Sequence, residues 1–151
     1  MATWVEFERA APEMAAAGSR LFYRTTTGEA LLATVRGDAL PRIHPIYLAI
    51  LEGRLVAFLL RSPKATDLAE DGRFALHAHQ DPDAPHEFVV RGQAQLIDDE
   101  AARRAMADAW YFDIDDGYRL FEFGIEHAIL GERASADDWP PRYTSWRSDG
   151  G

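Results

Sequence analysis

Apolar positions along the chain fall into short runs separated by polar turn residues, which is the spacing of strands. Glu29 to Val35, Arg42 to Leu51 and Arg54 to Leu60 are rich in Val, Ile, Leu and Phe, residues that suit a pleated, half-buried surface. Gly37-Asp38 and Glu52-Gly53 punctuate these runs, and the second gap is tight enough for a hairpin. Arg73 to His79 predicts a fourth strand, and His86 to Ile97 a long fifth after the Pro-rich loop at Asp81 to Pro85. Tyr118 to Leu130 alternates as a sixth, with Leu120, Glu122, Gly124 and Glu126 on one face and Phe121, Phe123 and Ile125 on the other. Arg142 to Arg147 is read as a last strand that closes the sheet.

Helical spacing is scarcer. Phe7 to Leu21 has an apolar, alanine-rich pattern that predicts an N-terminal helix, over about 4–18, ended near Gly18 and covering one end of the sheet. Ser62-Pro63-Lys64 opens a short helical piece from Ala65 to Glu70. Asp98-Asp99-Glu100 supplies a cap and early negative charge for a helix through Ala101 to Trp110. The tail from Ser148 to Gly151 is expected to be disordered. Six or seven closely spaced strands with few helices predict a mainly β, closed barrel rather than a parallel sheet. At 151 residues, one domain spanning 1–151 is expected.

Composition narrows the chemistry. The chain is 47% hydrophobic, enough for a sizeable core, and carries a net charge of -9. Such acidity argues against nucleic acid, because a phosphate backbone needs a basic partner surface. Cysteine is absent, which removes disulfides, thiolate nucleophiles and iron–sulfur ligation. The apolar runs Ile46 to Leu51 and Leu55 to Leu60 are too short for a bilayer, and the charged N-terminal stretch lacks the apolar core of a signal peptide. A cytoplasmic protein with no membrane partner is the expectation.

One segment carries a binding signal. Ser62 and Lys64 place a hydroxyl and an ammonium at the mouth of a helix, where free N–H groups and the positive end of the dipole favour phosphate. Pro63 suits the first helical position because it has no N–H to satisfy. Arg42, one strand earlier, offers a forked donor matched to phosphate oxygens. Arg42, His44 and Ile46 alternate onto one strand face. A small molecule bearing a phosphate and held against a β-sheet is the predicted ligand.

The order and spacing of several pieces resemble the pyridoxamine 5'-phosphate oxidase-like family. These pieces are Leu32-Ala33-Thr34-Val35, Pro41-Arg42-Ile43-His44-Pro45, Gly53-Arg54-Leu55, Ser62-Pro63-Lys64 with Asp67-Leu68, Gly72-Arg73-Phe74-Ala75-Leu76-His77 and Glu87-Phe88-Val89-Val90-Arg91-Gly92. The resemblance spans roughly Trp4 to Trp146. It implies a six-stranded split β-barrel of the FMN-binding type, usually a homodimer with cofactor sites at the subunit interface. It also implies an oxidoreductase that moves electrons or hydride through FMN, with a small-molecule substrate it does not identify. By the same resemblance Ser62, Lys64 and Arg42 would grip the flavin phosphate, and the backbone of Ile43, His44 and Pro45 would run beside the ring.

Several positions depart from that pattern. Ala57-Phe58 stands in place of a polar pair, Tyr47 in place of a second basic residue, and Glu87 in place of a ring-contacting glutamine. Negative charge at Glu87 would disfavour an anionic reduced flavin. The resemblance places Trp146 in a C-terminal Trp-Arg region, where it either covers a partner's flavin or packs in its own chain. Two rivals follow: use of the deazaflavin F420, and a split barrel that has lost cofactor binding and catalysis. His77 and His79, with His86 a loop away, resemble a metal pair only weakly, so no metal is expected. No Gly-x-Ser-x-Gly, Walker or dinucleotide loop occurs, and no catalytic acid or base is assigned.

Overall fold

Antiparallel pairing joins every strand in the computed structural model, which describes residues 1–149. In chain order the elements are α1 (Trp4–Ala10), α2 (Pro12–Phe22), β1 (Gly28–Thr34), β2 (Arg42–Leu51), β3 (Arg54–Leu60), α3 (Pro63–Glu70), β4 (Arg73–His77), β5 (Glu87–Ile97), α4 (Glu100–Asp108), β6 (Tyr118–Glu132) and β7 (Arg142–Arg147). The strand order is β3-β2-β1-β4-β5-β6-β7, and β3 pairs back onto β6. Six strands therefore close into a barrel, and β7 extends it beyond β6. The strand β6 makes this possible by its length of 15 residues. Its start, Tyr118 to Glu122, pairs with β3, and its end, His127 to Glu132, pairs with β7.

The hairpin between β2 and β3 turns at Glu52 and Gly53, with φ of 52° and 73°. Positive φ at both central residues matches the right-handed twist of the flanking strands, and glycine adopts it without a Cβ penalty. The hairpin then opens almost at once. Only Ala49, Ile50 and Leu51 pair with β3, at Val56, Leu55 and Arg54. From Arg42 to Leu48, β2 is paired with β1 on one side and presents an open edge on the other. Pro45 lies in that one-sided stretch, where a missing N–H costs no ladder bond.

The interior is aliphatic and aromatic. Phe7, Phe22, Leu32, Phe88, Phe121 and Phe123 are fully buried in the main cluster, while Val56, Phe58, Met106, Trp110 and Leu120 form a smaller one. Burying each such ring stabilises the fold by about 2–3 kcal/mol from apolar area alone.

Four expectations are corrected. The N-terminal helix over 4–18 is two helices, α1 and α2, broken at Ala11 with φ −140° and ψ 65°. Pro12 is the cause, since it has no N–H to continue the helix and its ring clashes with the preceding turn. Gly18 does not end α2 but sits within it, where a Cβ would fall 2.3 Å from the Phe88 ring. The fourth strand stops at His77, the last residue that β1 pairs, through Leu31, so His79 lies beyond it. In β6 the register shifts between Arg91 and Gly92 of β5, leaving Glu126 as the extra residue. That bulge re-phases the strand, so inward positions run Phe121, Phe123, Ile125 and then Ala128 and Leu130. Within the tail, the Ser148 N–H donates to the Glu126 carbonyl at 3.0 Å, and Gly150 and Gly151 lie outside the described residues.

Candidate functional site

Helix α3 plugs the barrel end between the start of β2 and the end of β3. Ser62 caps it from an extended conformation, its Oγ accepting from the Ala65 N–H at 3.4 Å and donating to the Leu60 carbonyl at 3.0 Å. Pro63 occupies the first turn as expected, and that turn contains no carboxylate. Among the described residues, the Lys64 N–H has no acceptor and its ammonium no carboxylate partner. The helix N-terminus thus keeps its positive end uncompensated.

Asp67, one turn on, ties α3 to the sheet. Its Oδ2 accepts from Thr34 Oγ1 at 2.9 Å and from Arg42 Nε at 3.0 Å. The carboxylate is 3% exposed and the Arg42 side chain 42%. Arg42 is therefore oriented by an internal partner, while its terminal nitrogens bond nothing among the described residues. Lys64 and Asp67 are three apart on one helix face, so the Asp67 bond brings Arg42 alongside the Lys64 turn. This role of Asp67 was missed in the sequence. Its signal is an acidic residue flanked by Ala65 and Leu68, both buried on the inner face of α3.

The start of β2 supplies a wall. Arg42, His44 and Ile46 share a face with Thr34, Leu32 and Ala30, whereas Ile43, Pro45 and Tyr47 share the outer face with Ala33, Leu31 and Glu29. All four residues from Arg42 to Pro45 are exposed, and burial resumes at Ile46. Beside Pro45 lies a cleft of about 280 Å³ lined by Glu29, Pro45, Ile46, Tyr47 and His79. Arg42, Ser62 and Lys64 thus surround the start of α3, and Ile43, His44 and Pro45 run along the open edge.

The positions that depart from the resemblance have local roles. Ala57 and Phe58 are buried opposite Phe121 and Leu120, and Phe58 packs edge-on against Trp110 at 5.1 Å. Tyr47 leans on Tyr111 and Phe112, each at 6.1 Å between ring centres. Glu87 Oε2 accepts a 2.6 Å bond from the Tyr143 hydroxyl, which holds that phenol above its ordinary pKa. Trp146 packs on Phe7 of its own chain at 5.0 Å. His77 Nδ1 donates to the Ala78 carbonyl at 2.6 Å, and His86 Nδ1 accepts from the Arg133 N–H at 3.2 Å. Among the described residues no group of three or more His, Asp or Glu is placed to hold a metal ion.

No family model and no curated protein matches the chain. Solved structures do. A protein related to general stress protein 26, of the pyridoxinephosphate oxidase family, from Clostridium acetobutylicum superposes with TM-score 0.66 at 13% identity, over 89% of this chain and 94% of that one. A pyridoxamine 5'-phosphate oxidase-related, FMN-binding protein from Nostoc punctiforme superposes with TM-score 0.61 at 15% identity, over 95% and 96%. A heme-binding protein from Mycobacterium smegmatis gives TM-score 0.62 at 21% identity, over 87% of this chain but only 57% of its own length. The chain has the pyridoxamine 5'-phosphate oxidase-like split-barrel fold. In this split barrel the opening between β2 and β3 and the plug formed by α3 lie together, so the phosphate-directed residues gather where the barrel parts.

Proposed function

We propose that this split barrel binds flavin mononucleotide and acts as an oxidoreductase on a small molecule. The observation that carries the reading is the open edge of β2 next to the uncompensated N-terminus of α3. The Lys64 N–H and ammonium, with the terminal nitrogens of Arg42, offer donors for a phosphate dianion. Ser62 holds the turn rather than the ligand, since its Oγ is engaged by Ala65 and Leu60. Asp67 fixes the Arg42 fork and halves the local positive charge, so the site suits one phosphate rather than a polyanionic tail. That favours FMN over F420.

The unpaired groups of Ile43, His44 and Pro45 would hydrogen-bond the polar edge of a planar ring. The bound flavin would supply hydride or electron transfer. The chain's own share is to orient the ring and to exclude water from one of its faces. The outer face supports a homodimer that completes the cover. Leu40, Ile43 and Tyr47 are 88%, 64% and 47% exposed there, and half-buried Leu31, His77, Val89 and Ile129 continue the apolar row. Exposed apolar patches of this kind mark contact surfaces.

The visible spectrum tests the reading directly. FMN is added to the purified protein, the mixture is desalted, and the flavin band is recorded beside parallel samples loaded with F420 or hemin. Retained FMN absorbance, lost in Arg42→Ala/Lys64→Ala, is the expected result. Protein that washes free of FMN overturns the proposal, and retention of F420 or a Soret band identifies which cofactor replaces it. Sedimentation of the loaded protein as a monomer would refute the dimer.

A further inference from the structure

A second cluster of cations lies on the outer face of β4 to β7, on elements the flavin reading does not use. Cross-strand register aligns Arg91 of β5 with His127 of β6, and His127 with Arg147 of β7. Directly opposed residues on antiparallel strands share a face, with Cβ atoms about 5 Å apart. Arg73 joins the same face, because it pairs with Gln93 two residues from Arg91. The four surround a cleft of about 400 Å³ with Phe74, Gln93 and Glu126 on its walls.

Like charges placed in a row across strands repel, so the row calls for a counter-charge. Among the described residues, neither Arg91 nor Arg147 has a carboxylate within ion-pair distance, whereas Arg73 is held by Asp71 at 2.6 Å. Glu126 lines the cleft without pairing with either. This is a chain with 16 Lys and Arg against 25 Asp and Glu, in which cations are the minority and a cluster of three arginines is unexpected for a solvated surface.

His127 sits at the centre and is only 8% exposed. Arg91 donates from its terminal nitrogen to His127 Nδ1. An arginine has only donors to offer, so Nδ1 is the acceptor and Nε2 carries the ring proton. Nε2 makes no hydrogen bond among the described residues. Two guanidinium groups and one imidazole N–H thus converge on one cleft with donors to spare.

We propose that Arg91, His127 and Arg147 form a binding site for a small oxyanion carrying two negative charges, of the phosphate or dicarboxylate class. A dianion matches the two unpaired guanidinium charges, and forked donors match its oxygens. The neighbours facing His127 are Arg73, Arg91, Glu126 and Arg147, and its ring is held towards the neutral form by burial and by Arg147 and Arg91. An anion between them relieves that repulsion, so occupancy moves the imidazole titration to higher pH.

The test titrates inorganic phosphate, and separately succinate, into flavin-free protein while following the His127 imidazole by ¹H–¹⁵N NMR. Saturable shifts and a raised imidazole pKa are expected with one or both, and the stronger of the two names the class. Arg91→Gln/Arg147→Gln should weaken binding at least about tenfold, whereas Arg42→Ala/Lys64→Ala and the remote Arg104→Gln should not. Both arginines are exposed, so the double variant is expected to fold, which its circular dichroism checks. Absence of saturable binding overturns the site, as does equal affinity in the double variant. A double variant that changes sedimentation, in a protein that binds neither anion, would assign the arginines to carboxylates of a second copy and equally overturn it.

Discussion

Arg42 and Asp67 meet at 3.0 Å across the end of the barrel, an exposed guanidinium held by a buried carboxylate that also takes the Thr34 hydroxyl. The bond couples the plug to the sheet, and it makes Arg42 a directed group instead of a free surface side chain. A charge-assisted bond whose acceptor is desolvated is worth more than a surface pair. Asp67→Asn should lower stability by about 1–3 kcal/mol. Urea unfolding of Arg42→Ala, Asp67→Asn and the double variant should give a coupling of at least about 0.5 kcal/mol. Strict additivity would mean that the contact contributes nothing.

The same substitution bears on the ligand. Removing the Asp67 charge leaves Arg42 uncompensated beside Lys64, so Asp67→Asn should hold FMN more tightly unless the Arg42 fork turns away. Fluorescence quenching of FMN on titration measures this, and an affinity drop as large as that of Arg42→Ala would show that orientation outweighs charge.

Much of the barrel is legible in the sequence because its strands are short, β-rich and sharply bounded. The predicted limits of β2, β3 and β7 coincide with the observed ones, and Glu52-Gly53 marks its turn unaided. The Ser62 cap and the Asp99 cap are legible for the same reason, since a cap is a local bond; Asp99 accepts from the Ala102 N–H at 2.8 Å. What escapes is whatever depends on register. Alternation places Glu126 with Leu120 and Glu122, but a bulge visible only against β5 moves it out of phase. Arg91, His127 and Arg147 are 36 and 20 residues apart, and no local pattern brings them together. Pro12 is a different kind of miss: the breaker is plainly in the sequence, and the alanine-rich spacing around it masks its effect.

Helix α2 crosses β5 at the closest approach its backbone allows. Gly18 faces the Phe88 ring, and a Cβ there would lie 2.3 Å from its tip, with Phe88 itself enclosed by Trp4, Phe7 and Phe22. A methyl group would normally favour a helix by about 1 kcal/mol. Here the clash dominates, because the ring has no free volume to enter. Gly18→Ala should destabilise by about 1–3 kcal/mol. Chemical denaturation checks this, and a stabilised variant would mean that α2 can lift from the sheet.

Acid should loosen the loop between α3 and β4. Asp71 accepts from Arg73 Nε at 2.6 Å and from the Gly37 N–H at 3.2 Å. The Arg73 guanidinium, helped by these N–H groups, holds the carboxyl well below its usual range. A depressed native pKa contributes stability that is present above the unfolded value, about 3.9, and is lost as pH falls through the native one. The loss therefore belongs below about pH 4. Carboxyl NMR of Asp71 should show titration near the ordinary value in Arg73→Ala and much lower in the wild type.

At the alkaline end the controlling group is Tyr111. Its hydroxyl donates to the Leu48 carbonyl at 2.7 Å and accepts from the Gly28 N–H at 2.9 Å, stitching the segment after α4 to the β1–β2 pair. Burial raises its pKa far above the ordinary 10.0, with Tyr23 and Glu29 acting in the same direction against the Gly28 bond. A raised native value contributes stability that is whole below the unfolded pKa and lost as pH climbs towards the native one, because the unfolded chain releases the proton first. Stability should accordingly decline above about pH 10. Tyr111→Phe should cost about 1–3 kcal/mol at neutral pH by stranding the Gly28 N–H and the Leu48 carbonyl, and should flatten the alkaline limb, leaving the smaller share owed to Tyr143. Urea midpoints measured from pH 7 to 11 separate the two effects. A parallel downward offset with an unchanged alkaline slope would mean that Tyr111 ionises as readily in the native state as in the unfolded one.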